Sequence, residues 1–383
     1  MTKKILTVAN DTGVANGLSS SILMFNEDKR LETIVLSEGP SQSVFNSKSI
    51  IYKTLDDYGF KEVTEDAIDA IIKKEKPDVI FTGFSEGVML EKYSINNAKL
   101  NNIPSITVLE GYTNYLKIVS DNELKQPFKY MPDFICIMDE FVLEEMLKLN
   151  FDKNKLIVTG NPYFDDLAIF RDSFNEESLN KIREELNIDR NGYLIIFFSQ
   201  AIKKVIDKGS DNMSRGYNEL TVLSMLESSL YKLNVDRLNL LIKLHPKEDL
   251  ESTQTALSGK LSRVIFNNNK NYNPRNMIIV SDLVTGMFST ALIESVYLYK
   301  DVLSIQPNII VEDTLLTNRF GLTIPIYREE DLKSTLEKII YDQNFKKEQK
   351  QKRSKLVLDG KATERVANFV YKSLNINWGK NAK

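Results

Sequence analysis

The sequence predicts an α/β protein with two doubly wound, parallel-sheet domains. Short apolar runs alternate with helical patterns along the whole chain, no two runs are joined by a hairpin turn, and the pattern restarts near the middle. A length of 383 residues exceeds what one ordinary core accommodates, which favours two domains. We place the junction near Asp165 and Asp166, which gives domains 1–165 and 166–383.

The composition is that of a soluble globular protein, with 42% hydrophobic and 27% charged residues. A formal net charge of -3 argues against a nucleic-acid binder that relies on a positive field. The single cysteine, Cys136, excludes an internal disulfide framework, and one histidine beside one cysteine leaves no zinc site. No apolar run reaches the length of a membrane span or of a secretory signal. We therefore expect a cytoplasmic protein without a bound metal, in at most peripheral contact with the inner face of the membrane.

The first half opens with a strand at 4–9, a glycine-bearing loop at 10–17 and a helix at 18–25. Gly13 and Gly17 in that loop allow a ligand to approach the backbone closely. Their spacing is not GxGxxG and does not by itself indicate a dinucleotide. Further strands are predicted at 33–37, 78–83, 105–111, 133–138 and 155–162, with helices at 64–74 and 140–149.

The second half repeats the alternation after a charged helical stretch at 165–187. The apolar runs predict strands at 192–199, 238–244, 277–280 and 302–306 and helices at 217–233, 291–299, 332–341 and 363–374. The lysine-dense segment 345–355 has two interpretations. It is either a solvated helix face or a patch that touches anionic lipid or a lipid-linked acceptor.

The only histidine, His245, follows the predicted strand 238–244. Pro246 cannot donate to a sheet ladder, so the strand should stop there and leave His245 at its carboxyl end, where ligands bind in open α/β sheets. Lys243 and Lys247 flank it. We expect this turn to hold a phosphate, which would favour the protonated form of His245. The alternative is an ordinary loop histidine.

A second candidate phosphate site lies at the start of the predicted helix 291–299. Ser289 or Thr290, after Gly286, suits a helix N-cap, and the free N–H groups of the next turn can bind phosphate. Glu294, one turn further, could accept hydrogen bonds from ribose hydroxyls. The alternative is a capped helix with a structural glutamate.

A carboxylate ends the predicted strand 105–111. Glu110, held before Gly111, has the position that a general base needs to activate an acceptor hydroxyl. Asp11, which follows the first strand, is the competing candidate, and Glu86 is the third. If the two domains face each other, the three segments that contain Glu110, His245 and Ser289 should converge on one cleft.

These segments lie within a resemblance that covers most of the chain. Residues 78–116, with Pro104 and VLEG at 108–111, resemble the N-terminal domain of UDP-N-acetylglucosamine 2-epimerases, where a strand, a helix, an IP turn and a VEAG segment follow in that order. VTGN at 158–161 is similar to the segment that ends that domain, and 281–302 resembles the late D-S-G-G…E…P-V segment. The resemblance implies the GT-B fold, with two Rossmann-like domains facing a cleft, a nucleotide held mainly by the second, and a last helix crossing back. It places Gly160 and Asn161 among the nucleotide-sugar contacts.

Two departures argue against the epimerase reaction. The family's HRREN run would fall near 199–204, where its His and Glu are missing, and GMFST at 286–290 replaces the double glycine. Bacterial sialyltransferases, polysialyltransferases and related capsule transferases fit the remaining motifs better. They carry an acidic pair before Gly, an HP motif and an SS or ST motif, which matches Glu110-Gly111, His245-Pro246 and Ser289-Thr290. Teichoic acid glycerophosphotransferases also use HP and Ser-rich segments. Leu109 stands where the first acid of the pair would be.

The resemblance implies a metal-independent GT-B glycosyltransferase of surface polysaccharide synthesis. Its donor would be a CMP-linked ulosonic acid first and a UDP-sugar second, and its acceptor a glycan or a lipid-linked sugar. Glu110 would deprotonate the acceptor, while His245, Lys243, Ser289 and Thr290 would stabilise charge on the leaving phosphate. The nucleotide-sugar is a substrate, and no cofactor is expected. A nucleotide-sugar 2-epimerase or hydrolase and a non-catalytic nucleotide-sugar sensor are the alternatives.

Overall fold

The chain folds into two compact units. The computed structural model describes residues 2–85, 89–111, 114–121, 123–203 and 215–377. Unit 1 comprises Met1–Ile169 and Lys355–Lys383, and unit 2 comprises Phe170–Ser354. This division differs from the predicted bounds 1–165 and 166–383 mainly because the last helix of the chain belongs to unit 1. This helix belongs to unit 1 because it is amphipathic and its apolar face completes the core of that unit.

Unit 1 is built on a parallel sheet of six strands. They are β1 (Lys3–Ala9), β2 (Leu31–Ser37), β3 (Val79–Thr82), β4 (Ser105–Val108), β5 (Phe134–Ile137) and β6 (Leu156–Val158). The helices are α1 (Thr12–Asn26), α2 (Ser41–Ser47), α3 (Glu65–Glu75), α4 (Leu90–Leu100), α5 (Tyr115–Ile118), α6 (Glu140–Lys148) and, at the unit boundary, α7 (Asp165–Asp172). The strand order β2-β1-β3-β4-β5-β6 reverses between β1 and β3, which is the topological switch of this sheet.

Helix α1 begins earlier than the sequence predicts. The predicted loop 10–17 is helical from Thr12, so Gly13 and Gly17 lie in the first turns of α1 and not in a loop. Asp11 is the N-cap residue. The large apolar residues that indicate this helix begin only at Leu18. The residues before Leu18 are mostly small, because this end of the helix packs closely against other parts of unit 1.

The last helix of the chain closes the core of unit 1. Helix α16 (Ala362–Ser373) buries Val366, Val370 and Tyr371 in the same apolar cluster as Phe25 of α1. The rings of Phe25 and Tyr371 meet edge to face, with centroids 5.9 Å apart. The predicted helix 363–374 is thus confirmed.

Unit 2 is built on a second parallel sheet of six strands. They are β7 (Tyr193–Phe198), β8 (Leu238–Lys243), β9 (Val264–Asn267), β10 (Leu283–Gly286), β11 (Asp301–Ile305) and β12 (Ile324–Ile326). The helices are α8 (Glu176–Glu185), α9 (Glu219–Leu233), α10 (Leu250–Thr255), α11 (Pro274–Val280), α12 (Thr290–Tyr297), α13 (Leu316–Arg319), α14 (Glu329–Tyr341) and α15 (Gln343–Arg353). The strand order β12-β11-β10-β7-β8-β9 places the switch between β7 and β10.

One predicted strand is wrong. Residues 277–280 end helix α11, and the strand that follows them is β10, which the sequence did not predict. Asn273 caps α11 by accepting the N–H of Arg275 at 3.0 Å, and Pro274 occupies the first turn, where its missing N–H does no harm. Every residue of the run from Met277 to Val280 is buried, so its apolar pattern has no period that separates a helix from a strand. Strands β9 and β12 were also not predicted.

The lysine-dense segment forms helix α15. Lys347, Lys350 and Lys352 are exposed, whereas Arg353 is buried and pairs with Asp301 at 2.8 Å. The exposed face agrees with a solvated helix, and contact with lipid stays a prediction. Across the described ranges, no helix combines the length and the apolar character that crossing a bilayer requires.

Replacing Val370 by alanine should destabilise unit 1. The side chain is fully buried in the α16 contact, so losing two methyl groups should lower the free energy of unfolding by roughly 1–3 kcal/mol. Lys372→Ala, at an exposed position of the same helix, should change it by less than about 0.5 kcal/mol. Urea denaturation followed by circular dichroism measures both, and equal effects of the two substitutions would contradict the packing role of α16.

Candidate functional site

A cavity of about 620 Å³ lies at the carboxyl edge of the unit 2 sheet. Its walls come from the segments that follow β7, β8, β10 and β11, so it sits at the topological switch, where open α/β sheets bind ligands. The residues around it are Gln200, Ala201, Ile202, Arg215, His245, Lys247, Phe288, Val311, Glu312 and Thr314. Three of these side chains carry basic nitrogens and one carries a carboxylate.

The floor of the cavity is fixed across the switch. Gln200, which follows β7, accepts the backbone N–H of Phe288, which follows β10, at 3.0 Å. The guanidinium carbon of Arg215 lies 4.0 Å from the centre of the Phe288 ring, a cation–π contact. Arg215 and Phe288 both line the cavity, so this contact brings a cation and an aromatic ring together in its wall.

Arg215 also holds the wall that follows β11. Its guanidinium donates to the Glu312 carbonyl at 3.4 Å and to the Thr314 hydroxyl at 3.3 Å, and its carbonyl accepts the N–H of Ile310 at 3.1 Å. Gly216 has φ +91°, and a Cβ there would lie 2.2 Å from the carbonyl oxygen of Asn308. Only glycine allows these two segments to approach so closely. Arg215 was not predicted from the sequence.

Beneath this wall, Asp313 collects three side-chain hydrogen bonds. Gln306 and Asn318 donate to it at 2.8 and 2.7 Å, and the Tyr327 hydroxyl at 2.6 Å. Burial alone would raise the pKa of Asp313, but these donors outweigh it and lower the pKa. The wall therefore rests on a carboxylate that stays charged.

The His245 turn lies at the predicted place, beyond the carboxyl end of β8. Strand β8 ends at Lys243, and His245 lines the cavity, whereas Pro246 does not. Burial and the charge of Lys247 lower the pKa of His245, against a smaller opposing effect of Glu219. The surrounding protein thus favours the neutral imidazole, and the protonated form expected beside a phosphate stays a prediction.

Two predicted phosphate or ribose contacts are directed elsewhere. Lys243 donates from Nζ to Asn267 Oδ1 at 3.2 Å and to the carbonyl of Asn269, so Lys247 and not Lys243 lines the cavity. Burial lowers the pKa of Lys243. Glu294 pairs with Arg275, with 3.1 Å between Oε2 and Nε. Lys243 is the last residue of β8, so the alternation of side chains along the strand sets the direction of the Lys243 side chain, and the turn after it does not.

The segment Gly286–Thr290 forms a capped helix start. Ser289 is the N-cap of α12, and its hydroxyl accepts the N–H of Ala291 at 3.2 Å. A Cβ on Gly286 would lie 3.0 Å from the carbonyl oxygen of Phe198, so this glycine serves strand packing. Gly286, Ser289 and Thr290 do not line the 620 Å³ cavity. Their role toward a phosphate stays a prediction.

Glu110 lies at the carboxyl edge of the unit 1 sheet, immediately beyond β4. Its side chain packs on the first turns of α1, where a Cβ on Gly13 would lie 3.3 Å from Glu110 Cγ and one on Gly17 would lie 3.3 Å from Glu110 Cβ. The two glycines therefore make room for this glutamate. They do not form a ligand-binding loop of the predicted kind.

A second carboxyl, Glu91 of α4, was not predicted. It is 1% exposed, and its Oε1 accepts the Asn10 N–H at 2.8 Å and the Ser85 hydroxyl at 2.6 Å. The Ser85 hydroxyl in turn accepts the N–H of Asp11 at 3.3 Å, across the β1–β3 switch. These bonds join the ends of two neighbouring strands to one buried acid.

Burial and mutual repulsion disfavour ionisation of this acidic group. Burial, helped by the charge of Asp11, raises the pKa of Glu91 to about 7. Burial, helped by Glu91 and Asp11, raises the pKa of Glu110 to about 8. One carboxylate oxygen of Glu110, Oε2, is buried without a hydrogen-bond partner among the described residues. Such a carboxyl can take up a proton near neutral pH.

Gly160 and Asn161 support this region. Asn161 donates to the Glu110 carbonyl at 2.7 Å and accepts the N–H of Tyr163 at 3.0 Å. Gly160 has φ +85°, and a Cβ there would lie 2.9 Å from Ala362 Cβ at the start of α16. Both contacts are within unit 1, and a nucleotide-sugar contact of these residues stays a prediction.

Three expectations are not decided by these contacts. Glu86 lies outside the described residues. Glu110 and His245 belong to different units, and their convergence on one cleft stays a prediction. Within the described ranges, no group of three or more His, Cys, Asp or Glu side chains is arranged to hold a metal ion.

Solved structures align with nearly the whole chain. The putative UDP-N-acetylglucosamine 2-epimerase of Listeria monocytogenes has a TM-score of 0.65 at 15% identity, over 98% of this chain and 97% of that chain. UDP-GlcNAc 2-epimerase from Neisseria meningitidis, bound to UDP-GlcNAc, has a TM-score of 0.65 at 14% identity, over 98% and 100%. MurG from Acinetobacter baumannii has a TM-score of 0.62 at 12% identity, over 97% and 99%.

These likenesses identify the fold. The chain has the GT-B fold, as predicted, with two parallel α/β units and a last helix that returns to the first unit. No protein-family model matches the sequence, and the comparison with curated proteins finds no match.

Replacing Glu91 by glutamine should flatten the pH dependence of stability. The pKa of Glu91 rises from 4.5 to about 7 on folding, so between these values the folded state binds more protons. The free energy of unfolding should therefore fall as pH rises through this window, by up to about 1.4 kcal/mol per pH unit. Gln has no such penalty, so Glu91→Gln should gain stability relative to the native protein between pH 5 and pH 8.

Urea denaturation at pH 5, 6, 7 and 8 measures this difference. Glu144→Gln, on the exposed side of α6 in the same unit, is the matched control and should leave the pH slope unchanged. Parallel pH curves for the native protein and Glu91→Gln would show that Glu91 is not held in its neutral form.

Proposed function

We propose that this protein is a glycosyltransferase whose unit 2 cavity binds the nucleotide of an activated sugar. The observation that carries the proposal is the 620 Å³ cavity at the β7–β10 switch, with Arg215, His245 and Lys247 in its walls. Basic nitrogens suit phosphate oxygens, and the Phe288–Arg215 stack suits a planar base. Structural neighbours with the GT-B fold include one that is a glycosyltransferase by name, and we propose the same class of activity for this chain.

Glu110 is the proposed base in unit 1. A carboxyl whose pKa is raised to about 8 accepts a proton more readily than an ordinary glutamate, provided that it is ionised at the moment of reaction. In the transfer, the acceptor O–H proton would pass to Glu110 while the acceptor oxygen bonds to the anomeric carbon. The bond from that carbon to the donor phosphate would break, and the phosphate would keep the electron pair.

The donor is a choice between two nucleotide classes. The order of Glu110-Gly111, His245-Pro246 and Ser289-Thr290 supports a CMP-linked ulosonic acid. The Neisseria structure with bound UDP-GlcNAc supports a UDP-sugar. The acceptor would be a glycan or a lipid-linked sugar, and the exposed lysines of α15 would suit a peripheral contact with anionic lipid on the cytoplasmic side.

A 2-epimerase or hydrolase is the second candidate, because two of the reported structural neighbours are 2-epimerases by name. Against it, the segment at 199–204, where that family carries His and Glu, contributes Gln200, Ala201 and Ile202 to the cavity here. Incubating the protein with UDP-GlcNAc and no acceptor separates the two. Formation of the epimer would overturn the transferase proposal.

Nucleotides should stabilise the protein against heat. A nucleotide at 100 times its Kd stabilises by about 2.7 kcal/mol, which a thermal-shift assay detects. We expect a shift with CMP, UDP or their sugars, and the larger shift identifies the base. A melting temperature that no nucleotide changes would contradict the proposed cavity, and binding without any transfer or hydrolysis would favour the sensor.

Two lysines provide a matched test of the cavity. Lys247→Ala removes a cation from its wall and should weaken nucleotide binding about tenfold, the effect of one charge-assisted contact. Lys243→Ala changes a lysine only four residues away that is bonded to Asn267 and should leave the affinity within about twofold. Calorimetric titration measures both, and the reverse order of effects would contradict the assignment of Lys247.

Glu110→Gln should slow turnover strongly without affecting nucleotide binding. Removing a general base costs about 10²–10⁴-fold in rate, whereas the nucleotide contacts lie in unit 2. Release of nucleotide from the donor, with and without acceptor, measures the rate. Asp11→Asn is the control that tests the competing base. Full activity of Glu110→Gln together with a loss in Asp11→Asn would transfer the role to Asp11.

A further inference from the structure

Two hydrogen bonds fix the turn that carries His245. The backbone N–H of Lys247 donates to His245 Nδ1 at 3.2 Å. Glu248 accepts the backbone N–H of His245 with Oε2 at 2.6 Å and the Ser199 hydroxyl with Oε1 at 2.6 Å. One carboxylate thus ties the end of β8 to the end of β7, while the turn itself contacts the imidazole.

The bond to Nδ1 determines where the imidazole proton resides. A backbone N–H can only donate, so Nδ1 must offer its lone pair, and the single proton of a neutral imidazole must then be on Nε2. An imidazolium would place an N–H at Nδ1 against the N–H of Lys247. The turn therefore selects one tautomer and disfavours the charged form.

The surrounding charges act in the same direction on balance. Burial first, and then the charge of Lys247, oppose a positive charge on His245, and Arg215 lines the same cavity. Glu219 favours that charge, and Glu312 is a further carboxylate at the cavity. Glu248 directs its oxygens to the His245 backbone N–H and the Ser199 hydroxyl.

We infer that His245 acts as a neutral hydrogen-bond donor through Nε2–H, and that Glu248 is the residue that positions it. The positive charge of the cavity then comes from Lys247 and Arg215, while His245 fixes the orientation of the bound group through one directional hydrogen bond. That the bonded group is a phosphate oxygen of the donor rests on the proposed function. The tautomer and the role of Glu248 do not.

Nitrogen NMR on the untagged protein tests the tautomer directly, because the sequence has one histidine and gives one imidazole signal set. With ¹⁵N-histidine labelling at pH 7, we expect an unprotonated Nδ1 and a protonated Nε2, both before and after addition of saturating CMP or UDP. A protonated Nδ1, or a cationic ring in the nucleotide complex, would overturn the inference. If neither nucleotide changes any signal or binds, the proposed function fails while the tautomer of the free protein is still measured.

Two amide substitutions of His245 distinguish a role of Nε2 from a role of Nδ1. The amide nitrogen of His245→Gln reaches the place of Nε2, and the amide of His245→Asn reaches only that of Nδ1. We expect nucleotide affinity within about threefold of the native value for Gln and about a tenfold loss for Asn, the effect of one hydrogen bond. Equal losses in both variants would contradict a donor at Nε2. Native affinity should stay flat from pH 6.5 to 8, and a fall across this range would indicate a charged histidine.

Glu248→Gln tests the positioning role. Glutamine keeps the size of the side chain but removes its charge. Its single oxygen can still accept the His245 N–H only if its NH2 group faces Ser199, whose hydroxyl must then accept where it donates to Glu248, so both bonds lose the carboxylate acceptor. We expect the ¹⁵N signals to show a mixture of tautomers and the nucleotide affinity to fall several-fold, with far-UV circular dichroism unchanged. Native nitrogen signals in Glu248→Gln would show that the carboxylate does not position the ring.

Discussion

The parallel pairing of β7 with β10 is the constraint on which the unit 2 cavity depends. Because the chain leaves the sheet in opposite directions on the two sides of this pair, the segments beyond the strands part and leave a crevice. The Gln200–Phe288 hydrogen bond closes its floor, and Arg215 and Asp313 fix one wall. The cavity is thus defined by backbone topology first and by side chains second.

The corresponding edge of unit 1 is organised by carboxyl groups. Glu91 joins the ends of β1 and β3 through Asn10 and Ser85, and Glu110 lies against a glycine-lined face of α1. Burying these acids costs stability, because ionisation is penalised in both. Carboxyl groups whose ionisation is penalised in this way occur often at functional sites, which motivates the role proposed for Glu110.

Much of the fold follows from the sequence, because buried parallel strands appear as short apolar runs. The placement of His245 and Glu110 just beyond strand ends also follows, since Pro246 and Gly111 mark the turns after β8 and β4. These strands end at Lys243 and Val108. The run at 277–280 misled because a fully buried helix end and a fully buried strand share the same pattern; the preceding Asn-Pro pair was the signal for a helix. Lys243 and Lys247 could not be separated, because side-chain direction at a strand end is a tertiary property. Glu91 carried no signal, since glutamate is common in any first helical turn.

The return of α16 to unit 1 has a consequence for the order in which the protein matures. Residues 362–374 are synthesised after all of unit 2, yet they complete the apolar cluster around Phe25 and Val79. Unit 2 is contiguous and has its own core, so its folding does not depend on residues 362–374. Unit 1, which contains Glu91 and Glu110, can therefore complete its core only after the whole of unit 2 has been synthesised.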